Sequence, residues 1–384
     1  MSLRNWLDKV RPQFEKGGKL HAFKSIYDGL DTFLYVPNET SKSGTSIHDA
    51  IDSKRIMSIV VISLIPAMLF GMYNIGYQNA SAAGKLAETT CMDMFLYGAL
   101  MLLPKILVSY IMGLGIEFAW AQWKGEEIQE GYLVSGILIP LIIPITLPLW
   151  MLALAVAFAV IFTKEIFGGT GMNTFNVALA ARAFLFFSYP GSMTGDKVWA
   201  ATDQICGLGY TLPDGFTMAT PLGEIAQGTA MNTSLSDMVV GLMPGSVGET
   251  SVIAIAIGAI ILIWTNIASW KTMLSVFAGG IVMALIFHSA GASPLQWYEH
   301  VVLGGFCFGA VFMATDPVTS ARTERGKWIY GFLVGVMAVI IRVLNPGYPE
   351  GMMLAILFGN MCAPLIDYCV VQSNINKRAK RAKM

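Results

Sequence analysis

The chain has 384 residues, 55% of them hydrophobic and only 13% charged, with a mean hydropathy of +0.59. A soluble domain carries about 25% charged residues, so this composition excludes a soluble globular enzyme and reads as a membrane protein. Net charge is zero, but the basic residues crowd the two ends of the chain; no nucleic-acid partner is expected.

Residues 1–50 are mostly polar, and the first apolar run begins near Ile56, after nine Lys and Arg. No signal peptide is expected there; PQFEKGGKLHAFKSIYDGLDTFLYVP reads as a cytoplasmic extension with one or two short amphipathic pieces. A hydrocarbon core about 30 Å thick takes roughly 20 apolar residues per helix. On that measure spans are predicted near 56–76, 94–120, 148–164, 173–188, 252–268, 273–290, 328–344 and 351–371. Two shorter runs near 131–146 and 303–318 are broken by glycine and proline, which brings the count to ten elements. With the N-terminus inside, 20 Lys and Arg fall in cytoplasmic segments and two, Lys85 and Lys197, outside. The positive-inside rule therefore predicts both termini in the cytoplasm and residues 191–250 as an external, periplasmic loop.

The two broken runs, 131–146 and 304–319, share the pattern G-x4-G-x7-P-x-T at Gly131/Gly304, Gly136/Gly309, Pro144/Pro317 and Thr146/Thr319. In each half a long span follows, then a Gly/Pro-rich break (FGGTGMN, 167–173; NPGYPEG, 345–351), then another span. The expected fold is an all-α integral membrane protein of about ten transmembrane elements in two five-element repeats, 51–190 and 251–372, followed by a basic cytoplasmic tail, 373–384. Five is odd, so the repeats are related by inversion across the membrane. Matched breaks point to a buried site or ion path; close glycine packing is the competing explanation. GGTGMN follows a membrane span and is no dinucleotide fingerprint.

Ionisable residues within spans are functional candidates: Lys105, Glu117, Arg182, Asp316, Arg342 and Asp367, with Glu130 and Glu165 at span edges. Asp367 and then Glu130 are the first choices for an ion path, because a hard cation takes oxygen ligands; a structural ion pair or snorkelling head group is the other reading of each. The five cysteines show no CxxC and the four histidines no i, i+4 pair, so no metal site is expected.

One polar stretch, DGFTMATPLG (214–223), interrupts the oily sequence. It places the hydroxyl of Thr220 on a tight turn, with Ala219 beside it and Pro221 fixing the exit. From the residues alone this is an ordinary turn.

The stretches HDAIDSKRIMSIVVISLIPAMLFGMYNIGYQ (48–78), EGYLVSGILIPLIIPITLPLW (130–150), KEIFGGTGMNTFNVALAARAFLFFSYPGSMTGDKVW (164–199) and APLIDYCVVQSNINKR (363–378) resemble the B subunit of the Na+-translocating NADH:quinone oxidoreductases. The likeness covers nearly the whole chain, the N-terminal extension included; the D subunit of the Rnf ferredoxin:NAD+ complex is similar in its spans. In both families FMN is attached through its phosphate to a threonine in a motif resembling D-G-x-[ST]-G-A-T. Carried over, Asp214, Gly215, Thr217 and Ala219 complete the motif and Thr220 is the acceptor, with Met218 standing where the motif has glycine. The resemblance further implies a non-covalent riboflavin, quinone as substrate, Na+ export, a flavin transferase for maturation, and the A, C, D, E and F subunits as partners in a bacterial inner membrane. NADH oxidation would fall to a partner, since this chain has neither a Rossmann fingerprint nor an iron–sulfur cysteine set. Besides the D subunit of Rnf, a flavin-free channel or secondary transporter is the alternative, because inverted repeats with broken helices are shared with those proteins.

Overall fold

The computed structural model describes residues 3–15, 18, 20, 23–35, 43–45, 51, 53–125, 131–195, 198–213, 216–229, 231, 233–345 and 347–382. Two short helices, α1 (Leu3–Phe14) and α2 (Lys24–Leu34), pack on one another ahead of the membrane helices. The first half then runs α3 (Ser53–Ala82), α4 (Cys91–Lys124), α5 (Tyr132–Ile142), α6 (Leu149–Ala159, extended by a π-helical segment Val160–Glu165) and α7 (Val177–Ser188). Three short helices follow in the polar loop: α8 (Pro190–Met193), α9 (Pro221–Ala226) and α10 (Leu235–Val240). The second half comprises α11 (Val252–Trp264), α12 (Trp270–Ser289), α13 (Trp297–Val302), α14 (Phe306–Phe308, continued by a π-helical segment Gly309–Met313), α15 (Glu324–Leu344) and α16 (Met352–Arg381). Among the described residues there is no strand, only an isolated bridge between Ile205 and Leu208.

Helix starts follow local side-chain chemistry. Thr90, Asn176, Thr220, Ser234, Ser251, Ser269 and Thr323 each cap a helix by accepting a hydrogen bond from a first-turn amide. Five helices, α3, α4, α12, α15 and α16, are long and apolar enough to cross a membrane. Their outer faces carry residues such as Ile111 (68% exposed), Leu107 and Leu285, as expected where lipid replaces water. The protein is thus an all-α integral membrane protein.

The most buried part of the molecule is formed by the broken elements. Ile139, Leu141, Ile142 and Ile143, with Phe306, Phe308, Ala310 and Met313, have no exposed surface. The irregular backbone of these elements is enclosed by protein, as it would have to be at membrane depth. Helix α5 ends at Ile142 because Pro144 follows, and the segment 143–148 is non-helical. Around these elements α4 packs on α6 and α6 on α7, while α12 packs on α15 and α15 on α16; α3 meets α11, and α7 meets α16. The α12–α15 approach depends on glycine: a Cβ on Gly335 would collide with the backbone of Val276 and stand 2.7 Å from the Gly280 amide nitrogen.

Several expected spans shift at their ends: α3 (Ser53–Ala82) and α4 (Cys91–Lys124) run past the 56–76 and 94–120 expected of them, and α15 starts at Glu324 ahead of 328. The span placed at 173–188 begins at Val177, because Asn176 caps it and 167–176 stays irregular. The span placed at 252–268 ends at Trp264. The last span runs on to Arg381, since the Lys- and Arg-rich segment is itself a good helix former with cations at the favourable C-terminal end.

Candidate functional site

Thr220 sits where the polar loop turns into α9. Its backbone is extended (φ −71°, ψ 154°), Pro221 occupies the first helical position, and its Oγ1 accepts the Gly223 amide at 3.1 Å. Pro at that position and Thr before it are the residues a helix start favours. The turn is anchored by a small hydrophobic cluster of Leu222, Met238, Met243, Leu295 and Leu303, separate from the main core. A six-residue helix has little stability of its own, so this cluster positions the hydroxyl.

The half-buried Thr220 lines a cavity of about 170 Å³ together with Arg182, Phe186, Met193, Trp199, Tyr348 and Glu350. A second, smaller cavity shares Thr220 and Glu350 and is walled by Ser246, Glu249, Thr250 and Gly304. Thr217 is exposed and lines neither cavity; Ala219 is half-buried beside the acceptor position. Asp214, Gly215 and Glu130 lie outside the described residues.

Arg182 on α7 is the centre of the site. One terminal nitrogen donates to the Ile142 carbonyl at 2.5 Å and to Glu249 Oε1 at 2.8 Å; the other pairs with Glu350. Its Nε has no partner among the described residues. The Ile142 carbonyl is also 3.3 Å from the Ser246 hydroxyl, and the Leu141 carbonyl accepts from the Gly248 amide at 2.8 Å. These donors satisfy acceptors that α5 loses by stopping. Arg342 does the same work in the second half, donating to the carbonyls of His300 (2.5 Å), Leu303 (3.1 Å) and Glu350 (3.2 Å). Burial pushes the Glu249 carboxyl above the usual carboxylate range, with Arg182 opposing that shift.

The other ionisable residues singled out in the sequence are spread apart. Lys164 pairs with Glu117 in a buried salt bridge, and Lys105 donates to the Leu147 carbonyl. Asp316 is tied to the Asn176 amide (3.2 Å), the Thr319 hydroxyl (2.9 Å) and the Val318 amide (3.1 Å). Asp367 accepts from the Arg322 amide (2.8 Å), the Thr323 amide (3.0 Å) and the Thr323 hydroxyl (2.6 Å), so it fastens α16 to the turn ahead of α15. Sequence reasoning missed Glu249, Glu350 and the Lys164–Glu117 pair. Glu350 carried a usable signal, because it lies within the NPGYPEG break.

A hydroxyl on an anchored turn and three aromatic rings around one cavity, with Arg182 and its two carboxylate partners beside them, fit a bulky aromatic group carried by an integral membrane protein. Residues 40–376 match the NQR2, RnfD, RnfE family, and the chain belongs to that family. Relatives include the B subunit of the Na(+)-translocating NADH-quinone reductase of Chromohalobacter salexigens, 45% identical over 99% of this chain and 97% of its own length. The proteins of the same name from Stutzerimonas stutzeri and Pseudoalteromonas atlantica are 44% and 43% identical, over 99% of this chain and all of their own length.

Proposed function

We propose that this chain is the membrane redox subunit, of the B type, in a Na+-pumping NADH:quinone oxidoreductase of the bacterial inner membrane, with FMN esterified through its phosphate to Thr220. The observation that carries the reading is the position of that hydroxyl: it stands on an anchored turn and faces a cavity lined by Phe186, Trp199, Tyr348 and buried Arg182. The aromatic rings offer stacking surface for an isoalloxazine ring, and Arg182, which lines the same cavity, keeps an Nε–H with no partner among the described residues. An ester oxygen keeps a lone pair, so the bond from the Gly223 amide is compatible with the modification. Bound FMN supplies the electron chemistry, while the residues around it position the group and set its electrostatics.

Electrons would reach this subunit from a partner that oxidises NADH and pass through a non-covalent riboflavin to quinone, coupled to Na+ export. The A, C, D, E and F subunits would be the partners, and a flavin transferase would load Thr220. Likeness along 99% of the chain to proteins named as B subunits favours this over the Rnf reading. The ten-element, inverted-repeat architecture is supported by matched packing: α4 on α6 and α6 on α7 in one half, α12 on α15 and α15 on α16 in the other. Asp367 and Glu130 are proposed for the Na+ path. The deciding experiment is flavin fluorescence of the purified chain on a denaturing gel: a fluorescent band in the wild type that is lost in Thr220→Val supports the reading, and a dark wild-type band overturns it.

A further inference from the structure

Of the three rings around the larger cavity, Trp199 alone is left without a protein partner. Its backbone is fixed on both sides: the Val198 carbonyl accepts from the Thr146 hydroxyl at 2.9 Å, and the Ala201 carbonyl accepts from the Asn79 side-chain amide at 2.9 Å. Val198, Ala200 and Ala201 are buried, whereas Trp199 is only half-buried and lines the cavity with Thr220. Among the described residues its indole makes no ring contact, cation–π contact or hydrogen bond. The other two rings meet each other: the centroids of Phe186 and Tyr348 are 4.6 Å apart at 71°, and Phe186 also meets Phe187 at 5.3 Å. An indole on an anchored backbone, open toward a cavity, is a large flat surface for another aromatic system.

The polar side of the same cavity is balanced in charge. Arg182 is paired with Glu249 and Glu350, and Arg342 stands beside Glu350 and donates to its backbone carbonyl, so two cations face two carboxylates. Nothing there draws a phosphate inward; what the cavity suits is an uncharged aromatic ring. We propose that Trp199 is the stacking platform for the flavin esterified to Thr220, its indole lying against the isoalloxazine face and holding that ring in the cavity. The inference rests on the assignment of FMN to Thr220. An ester tether alone leaves the ring free to swing about its single bonds, and a fixed aromatic face removes that freedom. Indole is also the most electron-rich of the protein rings, which gives the contact an optical signature. When light excites the oxidised flavin, one electron passes from the indole to the flavin and then returns, so emission is quenched with no net transfer. A phenol ring can donate in the same way, and a phenyl ring cannot.

The test is time-resolved flavin fluorescence of the purified native complex. The Thr220→Val complex is subtracted so that only the flavin at Thr220 is followed, and each signal is divided by the fluorescence of the denatured band. In the wild type the native emission should be quenched several-fold, and its polarisation should decay only as the complex tumbles. Trp199→Leu should restore the emission and let the polarisation decay faster. Trp199→Phe should restore the emission but keep the slow decay, since a phenyl face still stacks, and Trp199→Tyr should keep both wild-type properties. A packing role alone would follow ring size and would not separate Trp199→Phe from Trp199→Tyr. Wild-type emission and polarisation in both Trp199→Leu and Trp199→Phe, with the denatured band fluorescent, overturn the platform and leave the Thr220 assignment standing. Loss of quenching in Tyr348→Phe instead overturns it too, because the stacking face is then Tyr348. A dark wild-type band overturns the Thr220 assignment and the platform with it.

Discussion

Arg182 on α7 is ion-paired with Glu350, 168 residues further along, in the break between α15 and α16. One contact thereby ties the apolar helix α7 to the loop that opens α16. The same guanidinium holds Glu249 and the carbonyl at which α5 stops.

Removing that guanidinium should be costly. Arg182→Ala leaves two buried carboxylates without their cation and the Ile142 carbonyl with only the Ser246 hydroxyl, and breaking a buried pair in this way costs about 3–5 kcal/mol. Glu350→Gln retains a polar group at the more exposed position and should cost well under half as much. Thermal unfolding in detergent checks the order; a smaller loss for Arg182→Ala than for Glu350→Gln would contradict the arrangement.

Thr220→Val should abolish covalent flavin while the protein still folds. The lost N-cap costs about 1 kcal/mol, and it falls on a short helix held by its own hydrophobic cluster. Thr220→Ser keeps a hydroxyl and should retain flavin in part. Thr217→Val should retain it as well, since Thr217 is exposed and lines neither cavity. In-gel fluorescence of the three variants is the measurement, and a fluorescent Thr220→Val band would place the acceptor elsewhere.

Much of the architecture was legible in the sequence because it follows from local chemistry. Pro144 and the glycines around it marked the break that ends α5 at Ile142, and Arg182 stood out as a charge within a span. Its partners did not stand out, because no period or motif links positions 182, 249 and 350; only the folded chain brings them together. The π-helical segments at 160–165 and 309–313 were also invisible, since composition does not distinguish a widened turn from an ordinary one. The resemblance singled out Thr220, whereas nothing in the sequence marked the cavity that it lines.

The loop bearing Thr220 should face outside. Ser236 is exposed on α10 and Ser373 is exposed near the end of α16. In a background lacking the native cysteines, of which Cys91 and Cys206 are themselves exposed, Ser236→Cys should react with an impermeant thiol reagent on intact cells. Ser373→Cys should react only after permeabilisation. The reverse pattern would invert the topology.

His300 should give the protein an acid-sensitive step. It lies in the short α13, buried, with one ring nitrogen 3.0 Å from the Ser293 hydroxyl. Burial first, then Arg342 and His288, lower its pKa to about 3. The folded state therefore keeps the ring neutral while the unfolded chain protonates near pH 6.5. The stability this contributes is complete above that pH and is lost as pH falls toward about 3. His300→Gln, which cannot titrate, should lower the melting temperature near neutrality and flatten its fall between pH 6.5 and 4; an unchanged acid limb would show that His300 does not set it.

Asp367 separates two explanations with two substitutions. Its carboxylate accepts from the Arg322 amide, the Thr323 amide and the Thr323 hydroxyl, a holding role that needs acceptor oxygens but no charge. A Na+ path needs the charge, because the cation offsets the cost of a carboxylate at the membrane edge. Asp367→Asn keeps one acceptor oxygen for the Thr323 donors and removes the charge; Asp367→Ala removes both. For a residue on the Na+ path, both variants raise the Na+ concentration for half-maximal quinone reduction, and NADH oxidation at the partner stays normal. For a residue that only fastens α16 to the turn before α15, Asp367→Asn keeps the wild-type Na+ dependence and Asp367→Ala lowers the melting temperature alone. Raised Na+ requirement in Asp367→Asn is the expected result, and its absence would move the ion path away from this carboxylate.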